Sequence, residues 1–456
     1  MATTNSAAAD LTQGPTLPHL LRLAGPIAIG MLFQNLYHLI DLYFVAQLGD
    51  DAIAGVSAAG NLAFIVLALT QMLSVGSVAL MAQALGRRDR GDAQLLFQQS
   101  LMLSMLLFGA TLVLGYWLSR HYLEGLAASK AVRDAGWTYL IWFLPCLAMQ
   151  FITVALSSAM RACGVVKPAM LVQLLTIVLN IVLAPVLIAG WGTGRAFGVA
   201  GAGAASSLAL LIGLLVLSRL FKRMDLPFVF SLRPVALQWS VLGRLLRVGA
   251  PAGGEFLLIF VYMGLIYWLI KPFGADAQAG FGIAQRVMQA LFLPAIAIAF
   301  ALSPLAAQNV GANLPQRVRD AFRQAVLLSA GLMFLLTAVC QWRADVLLRL
   351  FSDDAAVLAV GSDFLHVVAW NFIATGLIFT CSSVFQALGH TLPSLLSSAS
   401  RLITFALPAF WLSTRPGFSL QQLWWLSVTT VTLQALLSLW LLRSEMRSRL
   451  QPLAAS

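Results

Sequence analysis

LLRLAGPIAIGMLFQNLYHLIDLYFVAQLGDDAIAGVSAAGN, Leu20 to Asn61, returns without a gap as LLRVGAPAGGEFLLIFVYMGLIYWLIKPFGADAQAGFGIAQR, Leu245 to Arg286. The offset of 225 positions holds well beyond these windows: Gln83 and Gly86 fall on Gln308 and Gly311, and Gly164 and Pro168 fall on Gly389 and Pro393. Loops kept to one length over half the chain imply two equivalent folds. In an apolar chain, two such lobes create a seam where a path can open to either side in turn, which points to transport.

Composition identifies the solvent. Of 456 residues 60% are hydrophobic and only 10% charged, with a mean hydropathy of +0.87. Such a chain is insoluble as a globular domain, so lipid surrounds most of it. Allowing about 20 apolar residues per crossing, the sequence predicts spans at about 20–46, 53–85, 95–118, 134–160, 168–190, 198–220, 244–270, 277–307, 322–341, 356–387, 392–412 and 421–442. The fold class expected is therefore an all-α integral membrane protein of twelve transmembrane helices in two homologous six-helix bundles. An N-terminal tail over 1–19 precedes a first lobe over 20–220. A linker over 221–243, lying along the membrane surface, joins it to a second lobe over 244–443 and a C-terminal tail over 444–456. The N-terminal tail lacks the basic start and apolar core of a cleaved signal. Cys146, Cys163, Cys340 and Cys381 have no metal-ligand spacing and read as packing residues.

Charge sets the orientation. Of 28 Lys and Arg residues, 17 lie in loops on the side of both termini and eight in the opposite loops. The basic side faces the cytoplasm, which places both termini inside. The net charge of +11 then follows from topology, and no nucleic-acid partner is needed to explain it.

Within the apolar segments, Asp41 stands nine residues before Asp50, about 13 Å below the outer end of the first helix. A carboxylate there must face protein or water, and such groups sit on ion or proton paths. Gln34, Tyr37, His38 and Asp41 share one helix face, a polar stripe suited to a water-lined path. The competing role for Asp41 is a structural carboxylate satisfied by its neighbours. Asn180, five residues before Pro185, can accept from a protonated carboxyl or donate to an ionised one. It can equally pack between helices by hydrogen bonding. Glu255 lies 11 residues beyond Arg244, about 16 Å in from the cytoplasmic end. It suits a cationic substrate or a second protonation site, or an ion pair with Arg286 or Arg401. Tyr262, with Trp142, Trp268, Trp370, Phe256, Phe260 and Tyr267, offers aromatic faces for flat organic cations.

His, Asp and Glu are too sparse for a metal cluster, no glycine-rich loop precedes a lysine, and the loops are too short for a catalytic domain. The expectation is no enzyme, no cofactor, and uphill transport driven by an ion gradient.

These residues carry a resemblance. Pro26, Gln34, Tyr37, Asp41 and the FVAQLG run ending at Gly49, the QALG and QNVG segments at Gln83 and Gln308, RACGVVKP from Arg161, and GAPAGGE from Gly249 are similar to the multidrug and toxic compound extrusion family of bacteria. The similarity spans about residues 15–445. It implies a V-shaped, monomeric, multi-pass exporter of the inner (plasma) membrane. In it, Asp41 is the cation-coupling carboxylate and Asn180 its companion. Ala184 stands where many bacterial members have an acid, and the tenth helix offers Asn371, Thr375 and Thr380 in place of the acid of the sodium-coupled branch. Sodium wants several hard oxygen ligands whereas a proton needs one carboxylate, so the sparse site favours H+ over Na+. The resulting expectation is alternating-access export of amphipathic organic cations, zwitterions or drugs in exchange for protons. A sodium-coupled exporter of the same family and a lipid-linked precursor flippase are the alternatives.

Overall fold

The computed structural model describes residues 9–126, 129–192, 194–231 and 236–455; the side chains of 36–43, 46, 50, 61, 120, 126 and 451–455 fall outside this description. Among the described residues there is no strand. The helices are α1 (Thr16–Ala46), α2 (Asp50–Gly86), α3 (Arg90–Leu126), α4 (Lys130–Ala162), α5 (Lys167–Ile188), α6 (Gly198–Arg223), α7 (Trp239–Ile270), α8 (Ala275–Gly311), α9 (Pro315–Leu348), α10 (Ala355–Val368), α11 (Asn371–Ala387), α12 (Leu392–Ser413) and α13 (Leu420–Ala455).

Eleven of these helices are long and apolar enough to cross a membrane, and α10 with α11 makes a twelfth span bent by 59°. The span expected as one helix over 356–387 is thus broken, at Ala369–Trp370, with neither proline nor glycine at the break. Two side chains of α9 stand at that point. Thr337 Oγ1 donates to the Ala369 carbonyl (2.9 Å) and Gln341 Nε2 to the His366 carbonyl (2.6 Å). Borrowed donors of this kind replace the partners that a bend removes from the helical ladder.

The chain divides into two compact units, Met1–Asp10 with Ile29–Gly253, and Leu11–Ala28 with Gly254–Ser456. The division falls inside α1 and inside α7, in each case two residues after a proline, Pro26 and Pro251. These prolines are repeat equivalents, and each removes a backbone donor where its helix passes from one unit to the other.

In the first unit, α2 crosses the start of α7 at backbone distance. A Cβ on Gly76 would stand 2.5 Å from the Leu245 carbonyl oxygen, and one on Gly249 would collide with that of Met72. The segment before α7 is held to the same unit by two glutamine side chains. Gln94 exchanges two hydrogen bonds with the Val229 backbone (2.7 and 3.1 Å), and Gln99 donates to Ala236 and accepts from Gln238 (2.9 and 3.0 Å).

The second unit treats the segment before α1 in the same way. The Leu11 amide donates to Gln308 (3.1 Å), Asn309 donates to the Leu11 carbonyl (3.1 Å), and Thr16 donates to Gln324 (2.6 Å), the repeat equivalent of Gln99. Arg317 donates to Asn309 and the Gly14 carbonyl, both at 2.8 Å. The expected tail over 1–19 is therefore partly built into the fold, with Leu11 only 1% exposed and α1 beginning at Thr16.

Candidate functional site

Each unit carries polar side chains inside its spanning helices, and each set is described separately. In the first unit, Tyr37, His38 and Asp41 lie outside the residues whose side chains are described. Gln34, one turn earlier on α1, accepts from Gln173 Nε2 of α5 at 2.7 Å. Gly30 leaves room for that glutamine: a Cβ there would stand 3.2 Å from Gln173 Oε1. Asn180 is buried on α5 and donates to Ser206 Oγ of α6 at 3.0 Å, a link between neighbouring helices. The helix continues past Pro185 to Ile188.

In the second unit, Glu255 lies near the middle of α7. Its Oε2 accepts from Ser394 Oγ (3.0 Å) and its Oε1 from Ser398 Oγ (2.9 Å). Four residues apart on α12, these serines present both hydroxyls from one helix face. Ser382 Oγ of α11 lies 2.9 Å from Ser394 Oγ, and Gln434 Nε2 of α13 donates to Ser398 Oγ at 3.2 Å. Gln434 is 4% exposed and its Oε1 has no partner. Among the described residues no cation lies within ion-pair distance of Glu255, so the pairing with Arg286 or Arg401 considered from sequence does not form. Neutral hydroxyls solvate this carboxylate and leave its charge available.

Further along the same helices, Tyr262 presents its hydroxyl to Ser427 Oγ (3.3 Å) and its ring edge to Phe405 (4.9 Å between centroids). Asn371, first residue of α11 after the break, is 3% exposed; its Nδ2 lies 3.5 Å from Ser427 Oγ and its Oδ1 is unpartnered. Arg401 of α12 lies over the Tyr262 ring at 4.3 Å.

Of the seven aromatic residues considered for binding flat organic cations, Tyr262 alone is buried. Tyr267 packs edge-on against Phe281 (5.1 Å) and Trp268 stacks on Phe410 (6.1 Å). Sequence reasoning missed Ser382, Ser394, Ser398 and Gln434. The signal present was the i, i+4 spacing of Ser394 and Ser398 in an apolar segment, but nothing in it named Glu255 as their partner.

The MatE family model matches residues 26–186 and again 251–411, two stretches displaced by the same 225 residues as the sequence repeat. The chain is 27% identical over 423 residues to the probable multidrug resistance protein YpnP of Bacillus subtilis (strain 168), covering 91% of this chain and 90% of that one. It is 23% identical over 392 residues to an FAD transporter of Shewanella oneidensis, covering 85% and 86%. In fold it superposes with a TM-score of 0.90 on an outward-facing multidrug resistance MATE family transporter of the MOP superfamily, at 23% identity and with 98% and 99% of the two chains covered. With the family's model matched on both halves of its duplication and its helices running through spans of membrane length, this chain belongs to MatE, a family of multidrug efflux transporters and not of enzymes.

Proposed function

We propose that the chain exports amphipathic organic cations or zwitterions across the bacterial inner membrane, by alternating access and in exchange for protons, with both termini in the cytoplasm. The observation that carries this reading is Glu255, a carboxylate in the middle of an apolar span that is held by serine hydroxyls and, among the described residues, by no cation. Acids inside membrane spans mark ion and substrate paths. Glu255 serves as a substrate-binding or second protonation group, and Asp41 with Asn180 as the coupling site of the first lobe. The repeat supports that assignment of roles: Tyr37 and Asn180 correspond in sequence to Tyr262 and Phe405, whose rings meet in the second unit. The multidrug resistance relatives support drugs as cargo, and the FAD transporter widens the range of chemistry within reach.

A second reading has its own observation. Glu255, Ser394, Ser398 and the unpartnered Gln434 Oε1 are hard oxygen atoms of the type sodium prefers. Proteoliposomes carrying the full chain, loaded with a fluorescent organic cation and subjected separately to a pH gradient and a sodium gradient, distinguish the two. The expected result is movement of the cation in response to the pH gradient. Drive by sodium alone, with no response to pH, overturns the proton reading. Movement of labelled lipid-linked precursor without any cation transport overturns the exporter in favour of a flippase.

A further inference from the structure

Arg401 is the tenth residue of α12, about 14 Å from that helix's first residue at the usual rise. A guanidinium at this depth is costly unless it has a counter-charge or a functional occupant. Among the described residues it has no carboxylate within ion-pair distance. Its Nε is buried and unpartnered, while the guanidinium carbon lies over the Tyr262 ring, 4.3 Å from its centroid. Glu255 of α7 accepts from Ser398, three residues before Arg401 on α12. A second buried amide stands with it: Asn371, 3% exposed, keeps one end of its side chain unpaired beside Ser427, which also meets the Tyr262 hydroxyl. Oxygen and nitrogen of such an amide are interchangeable by rotation, so the free end can present its N–H groups.

We propose that Arg401, steadied by the ring of Tyr262 and flanked by Asn371 and Ser427, is an anion-binding subsite that receives the carboxylate of an exported molecule. The inference rests on the export reading above and deepens it. Glu255 and Arg401 lie on facing stretches of α7 and α12, within about 5 to 10 Å along the helix axes, and they are not spent on each other. A molecule bearing an ammonium at one end and a carboxylate at the other satisfies both. Guanidinium is the side chain suited to a carboxylate, because its planar fork donates two parallel N–H bonds. A lipid headgroup does not reach this depth of the hydrocarbon.

Two dyes with one chromophore test this. Rhodamine 6G is an ester and a cation; rhodamine 19 is the corresponding free acid and a zwitterion. Binding of both to the full chain in lipid nanodiscs is read by fluorescence polarisation. The expected result is that wild-type protein binds both, and that Arg401→Gln weakens the acid about tenfold while leaving the ester within about twofold, the loss of one charge-assisted contact. Arg401→Lys keeps the charge without the fork and falls between. Equal weakening of both dyes, or of neither, overturns the subsite. So does wild-type protein that binds the ester but not the acid, which leaves the export reading intact. Wild-type binding of the acid alone sinks the cation reading while supporting the subsite, and binding of neither dye sinks both. Ester binding by the variants shows that they have folded, and the wild-type preference decides the matter if Arg401→Gln does not express.

Discussion

Gly30 and Glu255 occupy the same place in the duplicated sequence, as do Gln173 and Ser398, and the two units use that place differently. In the first, the absent side chain of Gly30 admits Gln173, which donates to Gln34, so the contact between α1 and α5 is neutral. In the second, the same helix-to-helix contact is a carboxylate bound by two hydroxyls, with Gln434 behind them. One turn and more beyond, the contrast reverses. The second unit packs Tyr262, Ile266 and Phe405 in its core, at the positions that carry Tyr37, Asp41 and Asn180 in the first. A duplication that kept the backbone has therefore moved its acid along the helix, placing Asp41 and Glu255 at different depths. Two acids at different depths can do different work.

The sharpest way to break that contrast is to neutralise one acid at a time. Asp41→Asn keeps size and removes the exchangeable proton, and it is expected to abolish gradient-driven efflux while the protein stays folded. Transport of a fluorescent cation in proteoliposomes, with circular dichroism as the fold control, checks this. If pH-driven transport survives, the coupling site belongs to Glu255 and the division of labour fails.

Glu255→Gln is expected to have the next largest effect, a weakening of cation binding by about tenfold, the loss of one charge-assisted interaction. Ser398→Ala leaves the carboxylate and one of its two donors, and is expected to weaken binding by less, about threefold, because the charge that meets the cation stays in place. Glu255→Gln should not lower thermal stability much, because replacing a desolvated carboxylate by a neutral group relieves as much as it removes. A large drop in melting temperature for Glu255→Gln would show that the serine cradle exists to hold the helices together.

The contact between α2 and α7 offers a comparison of packing. Gly76 and Gly249 hold this crossing at backbone distance, whereas their equivalents Ala301 and Ala24, both buried in the second unit, carry a methyl group. Gly249→Ala is expected to destabilise the protein by about 1–3 kcal/mol through overpacking against Met72. Ala24→Gly should cost less, about 0.5–1 kcal/mol, from helix propensity alone. Thermal unfolding of the two variants side by side reads the difference; equal losses would mean that the two crossings are equally close.

The sequence displayed its duplication, its spans and the helix carrying Glu255 because those depend on hydropathy and spacing, which are local. It did not display the break between α10 and α11. Thr337 and Gln341 stand about 30 residues before the carbonyls they bond, and no proline marks the place. The serine cradle was hidden for the same reason: Ser394 and Ser398 lie 139 and 143 residues from Glu255, and serine is common in helix interfaces whether or not it binds anything. The opening residues read as a tail because Leu11 is one apolar residue among polar ones. Its burial depends on Gln308, Asn309 and Arg317, about 300 residues away.

The smallest expected effects come from the two segments that lead into α1 and α7, and they sharpen the comparison because the charge is inverted between them. Arg317 and Asp92 are repeat equivalents. Asp92 forms a two-pronged ion pair with Arg244 (3.0 and 3.1 Å) and a further one with Arg87 (2.7 Å), with both arginines over 40% exposed. Arg317 instead donates to backbone carbonyls and to Asn309. Asp92→Asn is expected to cost no more than about 1 kcal/mol, as exposed ion pairs do, and the loss should shrink as salt rises. Arg317→Gln removes hydrogen bonds to neutral groups, so its effect should barely depend on salt and should be local, seen as faster hydrogen exchange at residues 10–16 with drug transport almost unchanged. Exchange that rises equally throughout α1, or an Arg317 effect that fades with salt as steeply as that of Asp92, would show that electrostatic attraction holds the segment in place and that the carbonyl contacts contribute little.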